Sequence, residues 1–142
     1  VMFVDLDNFK PYNDTYGHEI GDIVLQGMAR IFDEAIGENG FVSRYGGDEF
    51  IIISYTNDRN QIEEIVKSIY EKISLADGFK ESIENTLQMQ VEIEDRHKIG
   101  CSIGITTCDS FTTENYIDDM IKVADDSLYN VKAAGKGTYI FA

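Results

Sequence analysis

Apolar residues recur every three or four positions over three long stretches of this chain and cluster or alternate over several short ones, a pattern that predicts helices packed on a sheet. Ile20, Ile23, Val24, Met28, Ile31, Phe32 and Ala35 trace one face of a helix over 20–36, and Gly37 supplies its stop. The stretch 60–75 repeats the pattern, with Ile62, Ile65, Val66, Ile69 and Ile73 turned to a core and Glu63, Glu64, Lys67 and Lys72 turned to water. A last helix is expected over 115–134, from Ile117, Met120, Ile121, Ala124, Leu128 and Val131, ending at Gly135 and Gly137. Val1-Met2-Phe3-Val4 reads as a buried central strand that ends at Asp5-Leu6-Asp7. Phe41-Val42 and Phe50-Ile51-Ile52-Ile53 read as the two strands of a hairpin, and 99–107 and Tyr139-Ile140-Phe141 as two further strands. In between, 79–87 predicts a turn or two of helix, and the alternation Met89-Gln90-Val91-Glu92-Ile93-Glu94 predicts a half-buried strand.

This order of elements implies an α+β fold of the ferredoxin-like palm type. Its core is β-α-β-β-α-β with one additional helix and strand, an antiparallel-rich central sheet with helices packed on it. At 142 residues and 43% hydrophobic content, the chain makes one domain with a sizeable core. Because it opens directly on a strand, it is expected to be a piece of a larger protein.

Charge narrows the function classes. Twelve Lys and Arg against 26 Asp and Glu, a net charge of −14, provide no basic stripe for nucleic acid or an anionic membrane surface. A phosphate-bearing ligand would have to be held locally, with metal. No apolar run is long enough to span a bilayer and no leader pattern is visible. Cys101 and Cys108 lie too far apart on one extended segment to bridge, so reduced thiols and a cytoplasmic setting are expected.

The run Arg44-Tyr45-Gly46-Gly47-Asp48-Glu49-Phe50 carries the chemistry. Gly46 and Gly47 can take left-handed backbone angles at the tip of a hairpin, and two carboxylates follow at once. Asp5 and Asp48 are then two strand-borne acids able to meet at one sheet edge, beside the C-terminal end of a strand, where open α/β sheets bind ligands. Such a pair suits Mg²⁺, which takes a few carboxylates plus substrate phosphates. Each motif taken alone reads more readily as an ordinary turn or strand end than as a metal site.

Taken together, Val4 to Lys10, Asn13-Asp14, Tyr16-Gly17-His18, Gly21-Asp22, Arg44 to Phe50, Ser102-Ile103-Gly104 and Ala124-Asp125 through Gly135 resemble the GGDEF family of diguanylate cyclases across nearly the whole chain. The resemblance implies a nucleotidyl-cyclase-like domain that condenses two GTP into cyclic di-GMP with release of pyrophosphate. It further implies a head-to-head homodimer, each domain holding one GTP, and an upstream sensory or regulatory domain. Asp5, the Leu6 carbonyl, Asp48 and Glu49 would hold Mg²⁺ or Mn²⁺, with Asp48 as proton acceptor and Glu49 completing the metal shell or positioning the attacking hydroxyl. Asn13 and Asp22 would read guanine, since a carboxylate accepts from its N1–H and N2–H₂ edge and adenine lacks that donor pair. His18 matches a substrate-contacting position, though it reads equally as a cap or a solvated residue at a helix start. Gly46 and Gly47 would leave room for ribose and phosphates. Lys10, Lys132 and Lys136 would grip phosphate, and each also reads as a solvated charge at a helix end. Phe9 and Tyr45 read as packing residues.

Two departures from the family pattern stand out. Lys136 replaces a common Arg, keeping the charge but losing the bidentate fork, at a cost of about 1 kcal/mol in phosphate grip. The stretch Gly37-Glu38-Asn39-Gly40 lacks the Arg-x-x-Asp of the family's product-inhibition site, so inhibition there is expected to be weak or absent. An alternative function keeps the fold and loses turnover: a GTP-binding regulatory or scaffold module.

Overall fold

The computed structural model describes residues 1–108 and 116–142. Its strands β1 (Met2–Asp7), β2 (Gly40–Gly46), β3 (Glu49–Ser54), β4 (Gly100–Ile105) and β5 (Tyr139–Phe141) form one sheet in the order β2-β3-β1-β4-β5. Only β4 and β5 run parallel; the other three pairings are antiparallel. This is the expected α+β architecture, a mixed five-stranded sheet with helices packed on it.

Alternation along the strands sorts the core into two layers. Met2, Val4 and Leu6 point to the face covered by α1 (Phe9–Tyr16), α2 (His18–Ile36), α3 (Arg59–Ala76) and α4 (Lys80–Leu87), and they join Ile20, Val24, Met28, Phe32, Ile62, Val66 and Ile69 in the larger core. Phe3 and Ile51 point to the other face, where α5 (Tyr116–Ala134) lays Ala124 and Leu128 on them. The approach of α5 to β4 is close. At Gly104 any side chain would run into the Ala124 carbonyl and the Leu128 backbone, so glycine is what lets the helix sit down on the strand.

The long helices agree with the periodicity, with α2 reaching back to His18; the expected start of α5 at Asn115 lies outside the described residues. One α-helix among the described residues was not predicted. Helix α1 buries Phe9 and Tyr12 three residues apart on one face, and Pro11 falls within its first turn, where a missing N–H removes no helical hydrogen bond. Tyr12 fixes it below: its buried hydroxyl donates to the Gly78 carbonyl at 2.9 Å and accepts from the Ile99 N–H at 3.2 Å.

The strand expected over 89–94 does not form. Val91 is buried, but its N–H donates to the Glu84 carboxylate at 3.1 Å rather than to a neighbouring strand. The segment is a loop strapped down at its far end, where the Asn8 side-chain amide donates to the Arg96 and Lys98 carbonyls and Lys98 pairs with Asp77 and Asp95. The helical turns expected at 79–87 are α4.

Candidate active site

The sheet register brings the acids together. Asp5 on β1 lies directly opposite Glu49, the first residue of β3, and opposite Ser102 of β4 on its other side. Cross-strand partners share a face, so the Asp5 and Glu49 carboxylates both lie on the α5 side. From α5, two turns apart, come Lys132 and Asp125. The Lys132 ammonium meets Asp5 Oδ1 at 2.5 Å, with the Asp5 side chain only 13% exposed.

Asp48 is placed differently from expectation. It occupies the turn between β2 and β3 rather than a strand, so the strand-borne pair is Asp5 and Glu49. The turn is nonetheless tied to β1, because the Leu6 N–H donates to the Asp48 carbonyl at 3.1 Å. Of the two glycines only Gly47 takes a left-handed angle, φ 48°; Gly46 stays in the strand beside a register shift after Arg44. Arg44 clasps the turn, its Nε and Nη2 donating to the Gly47 carbonyl at 2.9 and 2.6 Å. Among the described residues, no atom beyond the glycines' chain neighbours lies within 4 Å of where a side chain at Gly46 or Gly47 would begin, so the turn is open there.

Electrostatically the cluster is short of positive charge. Burial pushes the Asp5 carboxyl above the usual range against the hydrogen bond and charge of Lys132, and Asp48 and Asp7 push the same way as burial. Glu49 is likewise raised by burial and then by Asp5, Asp48 and Asp125, with only Lys132 opposing. Hard oxygen donors whose mutual repulsion a single lysine leaves uncompensated suit a divalent cation, and Asp5, the Leu6 carbonyl, Asp48 and Glu49 are the groups that could hold one. Among the described residues, no three Asp, Glu, His or Cys side chains stand at mutual ion-holding geometry.

The expected base readers lie on the opposite face of the sheet, at the junction of α1 and α2. Asn13 leans over the start of α2 so closely that its Oδ1 fills the space a side chain at Gly21 would take. Asp22 is the next residue, exposed, and His18, the first residue of α2, is exposed. Lys10 lies on exposed α1 and bonds Asp14 at 2.7 Å. Lys136 is exposed in the turn after α5. The structure thus joins Asp5, Asp48, Glu49 and Lys132 into one cluster and Asn13 with the start of α2 into another. Phe9 is buried as expected, whereas Tyr45 is 60% exposed and meets Phe3 edge-on.

Two contributors escaped the sequence reading. Asp125 stands seven residues before Lys132, a two-turn helical spacing that places both on one face and was legible. Asp7 is buried and bonded to Ser102 and Gly137, a contact between distant segments that no local pattern signals.

Residues 1–138 match the family model described as the diguanylate cyclase GGDEF domain. The chain belongs to the GGDEF family. It is 31% identical over 136 residues to diguanylate cyclase DosC of Escherichia coli, a match that covers 96% of this chain and 26% of DosC. Among solved structures it superposes on diguanylate cyclase SiaD of Pseudomonas aeruginosa, crystallised with its activator SiaC, at a TM-score of 0.74 and 24% identity, covering 99% of this chain and 48% of that one. The active GGEEF domain of a diguanylate cyclase from Vibrio cholerae gives 0.64 at 27% identity, covering 99% and 80%. The chain therefore spans about a quarter of the length of the curated relative. Among the described residues of this GGDEF domain, no helix is long and apolar enough to cross a membrane. Cys101 is buried, which pushes its thiol pKa up, and neither it nor Cys108 forms a disulfide among the described residues.

Proposed function

We propose that this GGDEF domain is the catalytic part of a diguanylate cyclase that converts two GTP into cyclic di-GMP and two pyrophosphates. The observation that carries this reading is the pairing of Asp5 with Glu49 across the β1–β3 ladder, with the Lys132 ammonium on Asp5 and the Asp48 turn bonded to Leu6. In each half-reaction a ribose 3′-oxygen bonds the α-phosphorus of the other nucleotide, the bond to the β-phosphate oxygen breaks, pyrophosphate leaves and the hydroxyl proton passes to a base.

Asp5, Asp48, Glu49 and the Leu6 carbonyl would hold Mg²⁺ or Mn²⁺. When bound, the metal eases loss of the hydroxyl proton and neutralises phosphate charge. Asp48, in the open turn, is the group to accept the proton. Glu49, fixed on β3, orients the attacking hydroxyl. Lys132 exchanges its contact with Asp5 for the leaving phosphates, helped by Lys136 and by Lys10 once released from Asp14. Asn13 and Asp22 bind the guanine edge, and His18 contacts the nucleotide beside them. The open space over Gly46 and Gly47 admits ribose and α-phosphate. Reaction needs two such domains face to face, so the working unit is a homodimer, brought together by an upstream regulatory domain in a cytoplasmic protein.

One observation favours the second reading, a GTP-binding module without turnover: Lys132 sits on Asp5, where a cation would otherwise bind. Incubating the full-length protein with GTP and Mg²⁺ decides between the two. Cyclic di-GMP accumulates if the first is right, whereas GTP binding with no product supports the second.

A further inference from the structure

The proposed chemistry leaves Asp7 unused, although it is the most deeply buried of the strand-borne acids at this sheet edge, at 6% exposed. Among the described residues no Lys or Arg pairs with it. Its partners are neutral: Ser102 Oγ lies 3.0 and 2.9 Å from its two oxygens, and the Gly137 N–H donates to Oδ2 at 3.0 Å and to Ser102 Oγ at 3.1 Å. Ser102 is wholly buried on β4. A carboxylate buried on hydroxyl and amide donors alone costs more than an apolar side chain in its place, so stability does not call for it.

What Asp7 holds is the turn that carries Lys136. Helix α5 ends in a Schellman motif, with the Gly135 N–H bonded to the Lys132 carbonyl and the Lys136 N–H to the Val131 carbonyl. The chain then runs left-handed through Gly135, Lys136 and Gly137, at φ 124°, 67° and 65°. Lys136 is strained there, since a side chain at such an angle is disfavoured, and the turn persists because its far end is bonded to the C-terminal residue of β1. The same strand, two residues earlier, presents Asp5 to Lys132. Asp7 thus ties the turn that carries Lys136 to the strand that carries Asp5.

We infer that Asp7 is a positioning residue: through Ser102 and the Gly137 N–H it holds the α5–β5 turn so that Lys136 faces the β- and γ-phosphates of the nucleotide. The inference rests on the proposed binding of GTP. It requires that loss of Asp7 weaken the grip on the triphosphate tail and leave base recognition and the first phosphate alone.

The test is calorimetric binding of GTP and of GMP, each with Mg²⁺, to the wild-type protein and to Asp7→Ala, Asp7→Asn, Ser102→Ala, Lys136→Ala and the Asp7→Ala/Lys136→Ala double variant. Asp7→Ala is expected to lose about tenfold in GTP affinity, the scale of one charge-assisted phosphate contact, and to bind GMP as the wild type does. Asp7→Asn, whose amide oxygen still accepts the Gly137 N–H, should recover most of that loss. In the Lys136→Ala background Asp7→Ala should cost nothing more, because the effect passes through that lysine. Equal losses for GTP and GMP, or additive losses in the double variant, would overturn the inference. If Asp7→Ala does not fold, Ser102→Ala, which removes a single oxygen, takes its place in the same comparison. A wild-type protein with no GTP affinity would overturn the proposed function itself, an outcome distinct from these.

Discussion

The Lys132 ammonium and the Asp5 carboxylate, 2.5 Å apart, join the last helix to the central strand at the point where a metal and a triphosphate would both arrive. On the proposed reading Lys132 holds two partners in turn, shielding Asp5 without nucleotide and turning to phosphate when nucleotide binds. Replacing it by Met is expected to raise Mn²⁺ affinity in the absence of nucleotide, since the competing cation is gone, and to lower GTP affinity about tenfold. Titrating Mn²⁺ and GTP separately into Lys132→Met checks both directions; a fall in both would mean that Lys132 only props up the strand end.

Glu49 predicts a pH dependence. Its carboxyl is raised above the ordinary range by burial and by the neighbouring Asp5, Asp48 and Asp125. The protonated form is therefore favoured in the folded state. That contribution to stability is complete below the usual Glu pKa and is lost as pH rises through the raised value. Glu49→Gln should make the metal-free domain more stable at neutral pH, by a few degrees in Tm at about the scale expected for a partly exposed group, with the gain vanishing at acid pH. Thermal melts of both proteins in EDTA across the acid-to-neutral range measure it. An unchanged or lower Tm at neutral pH would show that Glu49 is not under repulsion.

Base choice is expected to rest on Asn13 and Asp22. Removing the Asp22 acceptor leaves guanine's donors unpaired at a cost of roughly 1–3 kcal/mol, so Asp22→Ala should lose GTP affinity and most of its preference over ATP. Gly21→Ala offers an independent route to the same defect, since its methyl group must displace the Asn13 amide. Competition between GTP and ATP for each variant reports the result, and retained preference in both would remove this corner from the guanine site.

Much of this was legible in the chain. The 3.6-residue spacing in α2 and α3 reflects helices buried on one face, and the acids at the end of β1 and after Gly47 were visible as motifs. The misread strand at 89–94 shows the limit: alternation there buries Val91 and packs the half-buried Ile93 against the core, while the Val91 backbone N–H is taken by Glu84. Strand periodicity reports burial, not pairing. That Glu49 rather than Asp48 is the strand-borne partner of Asp5 has a similar origin, because which residue opens β3 goes with the register shift after Arg44 in the β2–β3 pairing, which no local pattern signals. Asp7, Ser102 and Gly137 meet across 130 residues of sequence, beyond any local pattern.

Assembly is expected to limit turnover by the isolated domain. On the proposed reading one domain supplies half of the reacting pair, and a charge of −14 on each would oppose their encounter. Fusing a dimeric coiled coil ahead of Val1 raises effective concentration and should raise the rate per domain, while the unfused domain should show a rate per domain that grows with protein concentration. A dilution series compares the two. An unfused domain as active as the fusion, at a rate independent of concentration, would contradict the need for a partner.

The most direct measurement is production of cyclic di-GMP from GTP and Mg²⁺ by the full-length protein beside its Asp48→Ala variant, with far-ultraviolet circular dichroism to show that both are folded. Asp48 lies on an open turn and contributes no core contact, so its loss should leave the fold intact while removing a metal ligand and the proton acceptor. The account predicts turnover by the wild type and a fall of at least about a thousandfold in the variant, the scale of losing a general base together with a metal ligand. Turnover by Asp48→Ala at the wild-type rate would contradict it.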